Sequence, residues 1–166
     1  MKKIGIFYGS TTGTTANVAK QIADQLGVDS ANIHDVSETA PSALGDYDLI
    51  ILGASTWGDG DLQADMATFL DGAQALDLRD KEVAIFGCGD DNMADTFCNA
   101  VGEIYHKLHN AHPMFIAPFN NNGYTYRHSD ADVEGMIVGL CLDETNHPDE
   151  TPARIKAWVE EIKKEL

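Results

Sequence analysis

The sequence predicts an α/β fold in a single domain spanning residues 1–166: a doubly wound, five-stranded parallel sheet with helices on both faces. Three observations carry the prediction. Short apolar runs alternate with stretches of helical period along the chain. The runs are apolar nearly throughout rather than at alternate residues, as strands buried on both faces require. The 166 residues contain no linker-like stretch and no internal repeat, and suffice for one compact core.

Lys3–Tyr8 reads as strand one, and Val18, Ala19, Ile22, Ala23 and Leu26 form the apolar face of helix one. Asn32–Val36 is a weaker second strand and Asp48–Gly53 a buried third. Leu62, Met66, Phe69, Leu70 and Ala73 make the stripe of helix two, Glu82–Gly87 strand four, and Phe97, Val101, Ile104, Tyr105 and Leu108 helix three. Met114–Ala117 and Met136–Leu142 read as two pieces of a fifth strand, parted by the polar run NNNGYTYRHSDAD. The last helix takes Thr151 as its N-cap and Pro152 as its first residue, with Ile155, Trp158, Val159, Ile162 and Leu166 facing inward.

In such sheets ligands sit beyond the carboxyl ends of the strands, which selects three junctions. The first, Gly9–Thr15, is seven consecutive Gly, Ser or Thr residues at a helix start. Unpaired N–H groups, a positive dipole end and short hydroxyls make it a cradle for one phosphate, although a Ser/Thr-rich turn with an N-cap has the same composition. It is neither a Walker A loop nor a GxGxxG turn. The second junction, Ala54–Asp61, holds Trp57. A lone Trp is usually a core filler, but Gly58, Asp59, Gly60 and Asp61 form a polar turn that sets Trp57 at the rim, free to stack on a planar ligand. The third, Cys88–Asp95, joins glycine to carboxylates that also suit the start of helix three. Cys88 and Cys98 read as packing residues, since no cation lies nearby in sequence. Phosphate cradle, aromatic and polar loop together suit a mononucleotide with a flat ring.

The net charge of −16 argues against nucleic acid as a partner. It permits steering toward a basic protein and equally serves solubility. No apolar run approaches a membrane span, and the N-terminus suits a strand better than a signal peptide. Three cysteines without a CxxC pair fit a reducing cytoplasm and argue against a disulfide framework or a zinc site.

On these motifs the chain resembles the flavodoxins, specifically the long-chain branch, over essentially its whole length. IFYGSTTGTT matches the phosphate loop, STWGDGDL the first flavin loop, FGCGDDN with the later FC the second, and GLCLDE and RIKAWVEEI the closing segment. The interruption at about 118–135 looks like the long-chain insertion. The resemblance implies noncovalent FMN. Ser10, Thr11, Thr12, Gly13, Thr14 and Thr15 would hold the phosphate. Ser55, Thr56, Trp57, Gly58 and Asp59 would line the ribityl chain and ring, and Cys88, Gly89 and Asp90 the pyrimidine end. Three positions depart from the family's pattern: Thr14 stands where Asn is frequent, Met93 where many members place Tyr over the outer ring face, and Thr145 where some have Asp. Tyr124 and Tyr126 are alternative neighbours of that face.

The implied role is that of a low-potential one-electron carrier, not an enzyme. It would shuttle electrons between redox proteins, including a basic-surfaced flavodoxin reductase, by transient docking as a monomer. Gly58 would ease a backbone flip toward the reduced ring, and Asp59, Asp61, Asp90 and Asp91 would oppose further negative charge. The alternative is an FMN-dependent NAD(P)H:quinone reductase on the same fold. It needs positive groups for a second nucleotide, and Arg79 and Arg127 are available, but no basic cluster marks the flavin loops. A cofactor-free binding domain is a third class.

Overall fold

The computed structural model describes residues 1–166. In chain order the elements are β1 (Ile4–Gly9), α1 (Thr14–Leu26), β2 (Ile33–Asp35), β3 (Leu49–Trp57), β4 (Asp61–Leu62), α2 (Ala64–Ala73) and β5 (Glu82–Cys88). There follow α3 (Asn99–Leu108), β6 (Met114–Phe115), β7 (Asp132–Val133), β8 (Met136–Ile137), β9 (Leu140–Leu142) and α4 (Thr151–Lys163). The main sheet is parallel in the order β2-β1-β3-β5, with β6 and β9 both on the free side of β5. β6 pairs with Glu82–Val83 at the start of β5, and β9 with Phe86–Cys88 at its end. The fifth position of the sheet is therefore one strand in two pieces.

Alternate strand residues point to opposite faces, and here both faces are buried. Phe7, Ile50, Leu52, Val83 and Ile85 pack with Met66 and Leu70 of α2 and Val101 and Ile104 of α3. Ile6, Leu49, Ile51, Ala84 and Phe86 pack with Val18 and Ile22 of α1 and Ile155 and Trp158 of α4. Trp158 is fully buried, and its indole N–H donates to the Ala117 carbonyl at 2.9 Å, tying α4 to the broken fifth strand.

Several local expectations are corrected. β3 does not stop at Gly53 but runs to Trp57, because Ser55 still pairs with Cys88 and β4 folds back antiparallel on Thr56–Trp57. Leu62 and Phe97 are buried but precede their helices. Met136–Ile137 leaves the sheet for a hairpin with β7, its Val138 N–H given to Ala131 and the Ile137 carbonyl taken by Phe119. Thr151 is inside α4 rather than its cap; its hydroxyl donates to Glu144, and Leu166 lies exposed beyond the helix end. No helix is long and apolar enough to cross a membrane.

Candidate functional site

Parallel pairing sets the carboxyl ends of β1, β3 and β5 side by side: Gly9 is level with Ala54, and Ser55 with Cys88. The chain leaves β1 toward β2 on one side and β3 lies on the other, so this edge is the topological switch point. A cleft of about 200 Å³ opens there, lined by Thr12, Thr14, Ser55, Thr56, Trp57, Cys88, Gly89, Asp90, Glu144 and Thr145. The first eight are among the residues the sequence selected. Glu144 was missed; it arrives because β9 pairs with the end of β5 and delivers the closing segment to the same edge. A larger cavity, about 770 Å³, draws its lining wholly from residues 118–137 and from none of the three loops.

The first loop ends in an uncapped helix. Gly13 takes φ 93°, a left-handed conformation that costs glycine little, and no side chain caps α1. The first helical bond is from Asn17 N–H to the Gly13 carbonyl, which leaves the N–H groups of Thr14, Thr15 and Ala16 without a helical acceptor. Thr15 is buried and its Oγ1 has no hydrogen-bond partner. An unpaired buried hydroxyl beside an unsatisfied helix N-terminus fits an anionic group seated at that end.

The hydroxyl oxygens around the cleft share a pattern. Ser10 Oγ accepts from Gly13 N–H (3.1 Å), Thr11 Oγ1 from Gln63 Nε2 (3.2 Å), Ser55 Oγ from Trp57 Nε1 (2.8 Å) and Thr56 Oγ1 from Ala100 N–H at the start of α3 (3.0 Å). Each oxygen that already accepts keeps its own proton to donate elsewhere. The edge is thus rich in donors and carries no cation, which suits a ligand rich in acceptors. Trp57 is 41 % exposed, with its indole N–H satisfied, so its ring face is available for stacking. Behind it the turn is closed by Gly60 N–H to the Trp57 carbonyl (3.1 Å), and Gly58 already has φ 51°. Asp59 lies in that turn and is exposed, beside the cleft rather than in its wall.

In the third loop Asp90 faces the cleft and its Oδ1 accepts from Asn92 N–H (2.9 Å) and Asn146 Nδ2 (2.6 Å). Asp91, expected as a carboxylate near a ring, is instead buried: His147 Nε2 meets its Oδ2 at 2.8 Å, while its own N–H donates to Asp143 Oδ2 at 3.0 Å. His147 Nδ1 lies 2.9 Å from Glu150 Oε2, so both ring nitrogens face carboxylates. The hydrogen bond with Asp91 is the main influence holding the His147 pKa above its ordinary value. Burial acts to raise the Asp143 carboxyl, yet bonds from Asp91 N–H and Asn146 hold it below the usual range. Burial pushes the Cys88 thiol up to about 12, against a smaller opposing influence of the Thr15 hydroxyl, which does not reach it in full hydrogen-bond geometry. Cys88 and Cys98 are buried neutral thiols, as the sequence suggested. Met93, in the same loop, is 42 % exposed and does not line the cleft. Tyr124 and Tyr126 do not reach the cleft; both pack on Phe97, with centroids 4.9 and 5.0 Å away.

The sequence model of the flavodoxin family matches residues 6–158. The flavodoxin of Haemophilus influenzae is 38 % identical over 168 residues, covering 100 % of this chain and 97 % of its own. A flavodoxin of Nostoc sp. is 40 % identical over 166 residues, covering 99 % and 98 %. Among solved structures, Fusobacterium nucleatum flavodoxin bound to flavin mononucleotide superposes with a TM-score of 0.91 at 29 % identity, covering 100 % and 99 %. When only the five parallel positions of the sheet are counted along the chain, with β6 and β9 as the fifth, their order is 2-1-3-4-5, the order for which flavodoxin itself is a standing example. Sequence, strand order and the three-loop cleft agree: this chain belongs to the flavodoxin family.

Proposed function

We propose that the chain binds one FMN noncovalently in the three-loop cleft and serves as a low-potential one-electron carrier between redox proteins. The observation that carries this is the donor-rich, cation-free edge that runs from an uncapped α1 with an unpartnered Thr15 hydroxyl to the exposed face of Trp57. When bound, FMN supplies reversible one-electron chemistry; the protein supplies the environment. The amides of Thr14, Thr15 and Ala16 and the hydroxyls of Ser10, Thr11, Thr12, Thr14 and Thr15 hold the phosphate, with Gly13 shaping the turn. Ser55, Thr56, Gly58 and Asp59 border the ribityl chain and ring. Trp57 stacks on one ring face and Met93 covers the other, where a thioether packs well. Cys88, Gly89 and Asp90 border the pyrimidine end.

Carboxylates at Asp59, Asp61, Asp90 and Glu144 surround this edge and disfavour added negative charge, which lowers the potentials. The partners are redox proteins with basic surfaces, such as a flavodoxin reductase, engaged transiently by a monomer. Three free, buried cysteines suit a cytoplasmic setting.

The enzyme reading lacks its cations. Arg79 lies between α2 and β5, at the amino end of the strands, and Arg127 is held by both oxygens of Asp95 at 2.8 Å. FMN-loaded protein should oxidise NAD(P)H negligibly with a quinone alone, and should pass electrons once a basic reductase is added. Turnover without a reductase would support the enzyme, and a preparation that takes up no flavin would exclude both readings.

A further inference from the structure

Gln63 belongs to no motif singled out in the sequence, yet with its side chain and its backbone N–H it joins two of the three loops. It is 1 % exposed and caps α2: its Oε1 accepts from Met66 N–H at 2.9 Å. Its Nε2 donates to Asp65 Oδ2 at 3.0 Å and to Thr11 Oγ1 at 3.2 Å, and its backbone N–H donates to the Ser55 carbonyl at 3.1 Å. The side chain is also wedged against β1, since a Cβ on Gly9 would stand 2.3 Å from Gln63 Oε1.

The chemistry fixes which end of the amide is which. An amide N–H can only donate, so the atom facing Met66 N–H is the oxygen; an ionised carboxylate can only accept, so the atom facing Asp65 is the nitrogen. Thr11 Oγ1 therefore receives a proton from Gln63, and its own proton is left to point away from Gln63. Thr11 is exposed in the first loop.

We infer that Gln63 is a positioning residue for the cofactor's phosphate: by donating to Thr11 it forces the Thr11 hydroxyl to act as a donor toward the acceptor-only phosphate. The inference rests on the FMN reading above. Gln63 touches no ligand itself. It sets a proton direction that a free threonine would have to choose on binding, and so raises the preference for FMN over riboflavin, which lacks the phosphate.

The test is that preference, the ratio of riboflavin to FMN dissociation constants, measured by flavin fluorescence quenching with the apoprotein. Gln63→Glu keeps the acceptor for Met66 N–H but accepts from Thr11, reversing the bond. The ratio should fall at least tenfold, with riboflavin affinity changed less than threefold. A carboxylate also repels phosphate through space, so the same substitution is made on a Thr11→Val background. If Gln63 acts through Thr11, its effect there shrinks at least fivefold; an equal effect on both backgrounds overturns the inference. Gln63→Met, uncharged and of similar length, covers the case that the Glu variant does not fold. It should lower the ratio in the wild-type background and leave it unchanged with Val at position 11. Equal loss of riboflavin and FMN affinity would show a structural role only. Wild-type protein without FMN affinity would remove the cofactor reading and this inference together; wild-type binding with unaffected Gln63 variants would remove the inference alone.

Discussion

Thr15 shows what a single side chain reveals about a binding site. A buried hydroxyl without a partner costs on the order of 1–3 kcal/mol, so folding alone gives no reason to keep one there. Thr15→Val, nearly isosteric, should leave the apoprotein as stable as the wild type, or up to about 1 kcal/mol more stable, in urea unfolding. FMN affinity should fall about tenfold, equivalent to about 1.4 kcal/mol, with riboflavin affinity unchanged. Equal losses for both ligands would make Thr15 a packing residue. Trp57 makes the complementary case. Its indole N–H is fixed on Ser55 Oγ, so the ring is held in place before any ligand arrives. Trp57→Ala should weaken FMN and riboflavin alike and relieve quenching of flavin fluorescence, because stacking acts on the ring that both ligands share. Unaltered affinity and fluorescence would return Trp57 to the status of a surface residue.

At the scale of elements, the β3–β4 turn and the third loop are held on the sheet by one backbone angle and one side-chain network respectively. A Cβ at Gly58 would meet only Asp61 Oδ2, at 3.8 Å, so space is not the obstacle to a side chain. The obstacle is φ 51°, which costs an L-residue about 1–2 kcal/mol. The part assigned to Gly58 is to ease a backbone flip toward the reduced ring, and a flip whose reduced-state arrangement depends on this positive φ more than the oxidised one makes a side chain here costly to the reduced states. Gly58→Ala should draw the two one-electron potentials together by roughly 59 mV for each tenfold loss in the preferred turn, while Gly58→Asn, which tolerates this region, should do so less. Spectroelectrochemical titration measures the separation, and a separation equal to wild type would detach the turn from redox tuning.

The third loop is locked by His147 between Asp91 of the loop and Glu150 at the start of α4, with Asp143 bonded to the Asp91 amide. Tyr124 lies against the imidazole, its ring centroid 5.6 Å away, and Arg154 is drawn off by Glu150. The folded pKa of His147 is raised above 6.5. Its contribution to stability is therefore full below about 6.5 and lost as pH rises through the folded value. His34, lowered by burial, slopes the other way, so the comparison must be made between variant and wild type at each pH. His147→Gln should destabilise most at pH 6 and progressively less toward pH 9 in urea unfolding. A difference independent of pH would mean that the imidazolium is not what closes the lock.

The whole molecule carries a net charge of −16. Its carboxylates are not equivalent: Asp91 is buried and bonded to His147, whereas Asp59 and Asp61 are exposed and Asp90 is half-buried at the cleft. One unscreened charge about 10 Å from the ring, at an effective dielectric of about 20, is worth roughly 1.7 kcal/mol, on the order of 70 mV for one electron. The same field reaches outward. Reduction by a basic reductase should slow as ionic strength rises toward about 0.1 M, where the Debye length falls to about 10 Å. A rate independent of salt would exclude electrostatic docking.

The sequence by itself determined the layered fold. Strand and helix periods are short-range properties, and continuous apolar runs such as Leu49–Leu52 are explained only by burial on both faces, which the two core clusters display. The seven-residue hydroxyl and glycine loop at the start of α1 is equally plain in the sequence, but that no side chain caps the helix there was decided only by the fold. Tertiary structure alone decided who bonds to whom. Gln63 reaches Thr11 across 52 residues and His147 reaches Asp91 across 56, and neither pairing leaves a local trace. Asp90 and Asp91 are adjacent and chemically identical in the sequence; folding turns one into the cleft and the other into a buried network. Hydrogen-bond direction, burial and charge compensation are fixed only when distant segments meet, and they separate a residue that lines the site from one that holds it in shape.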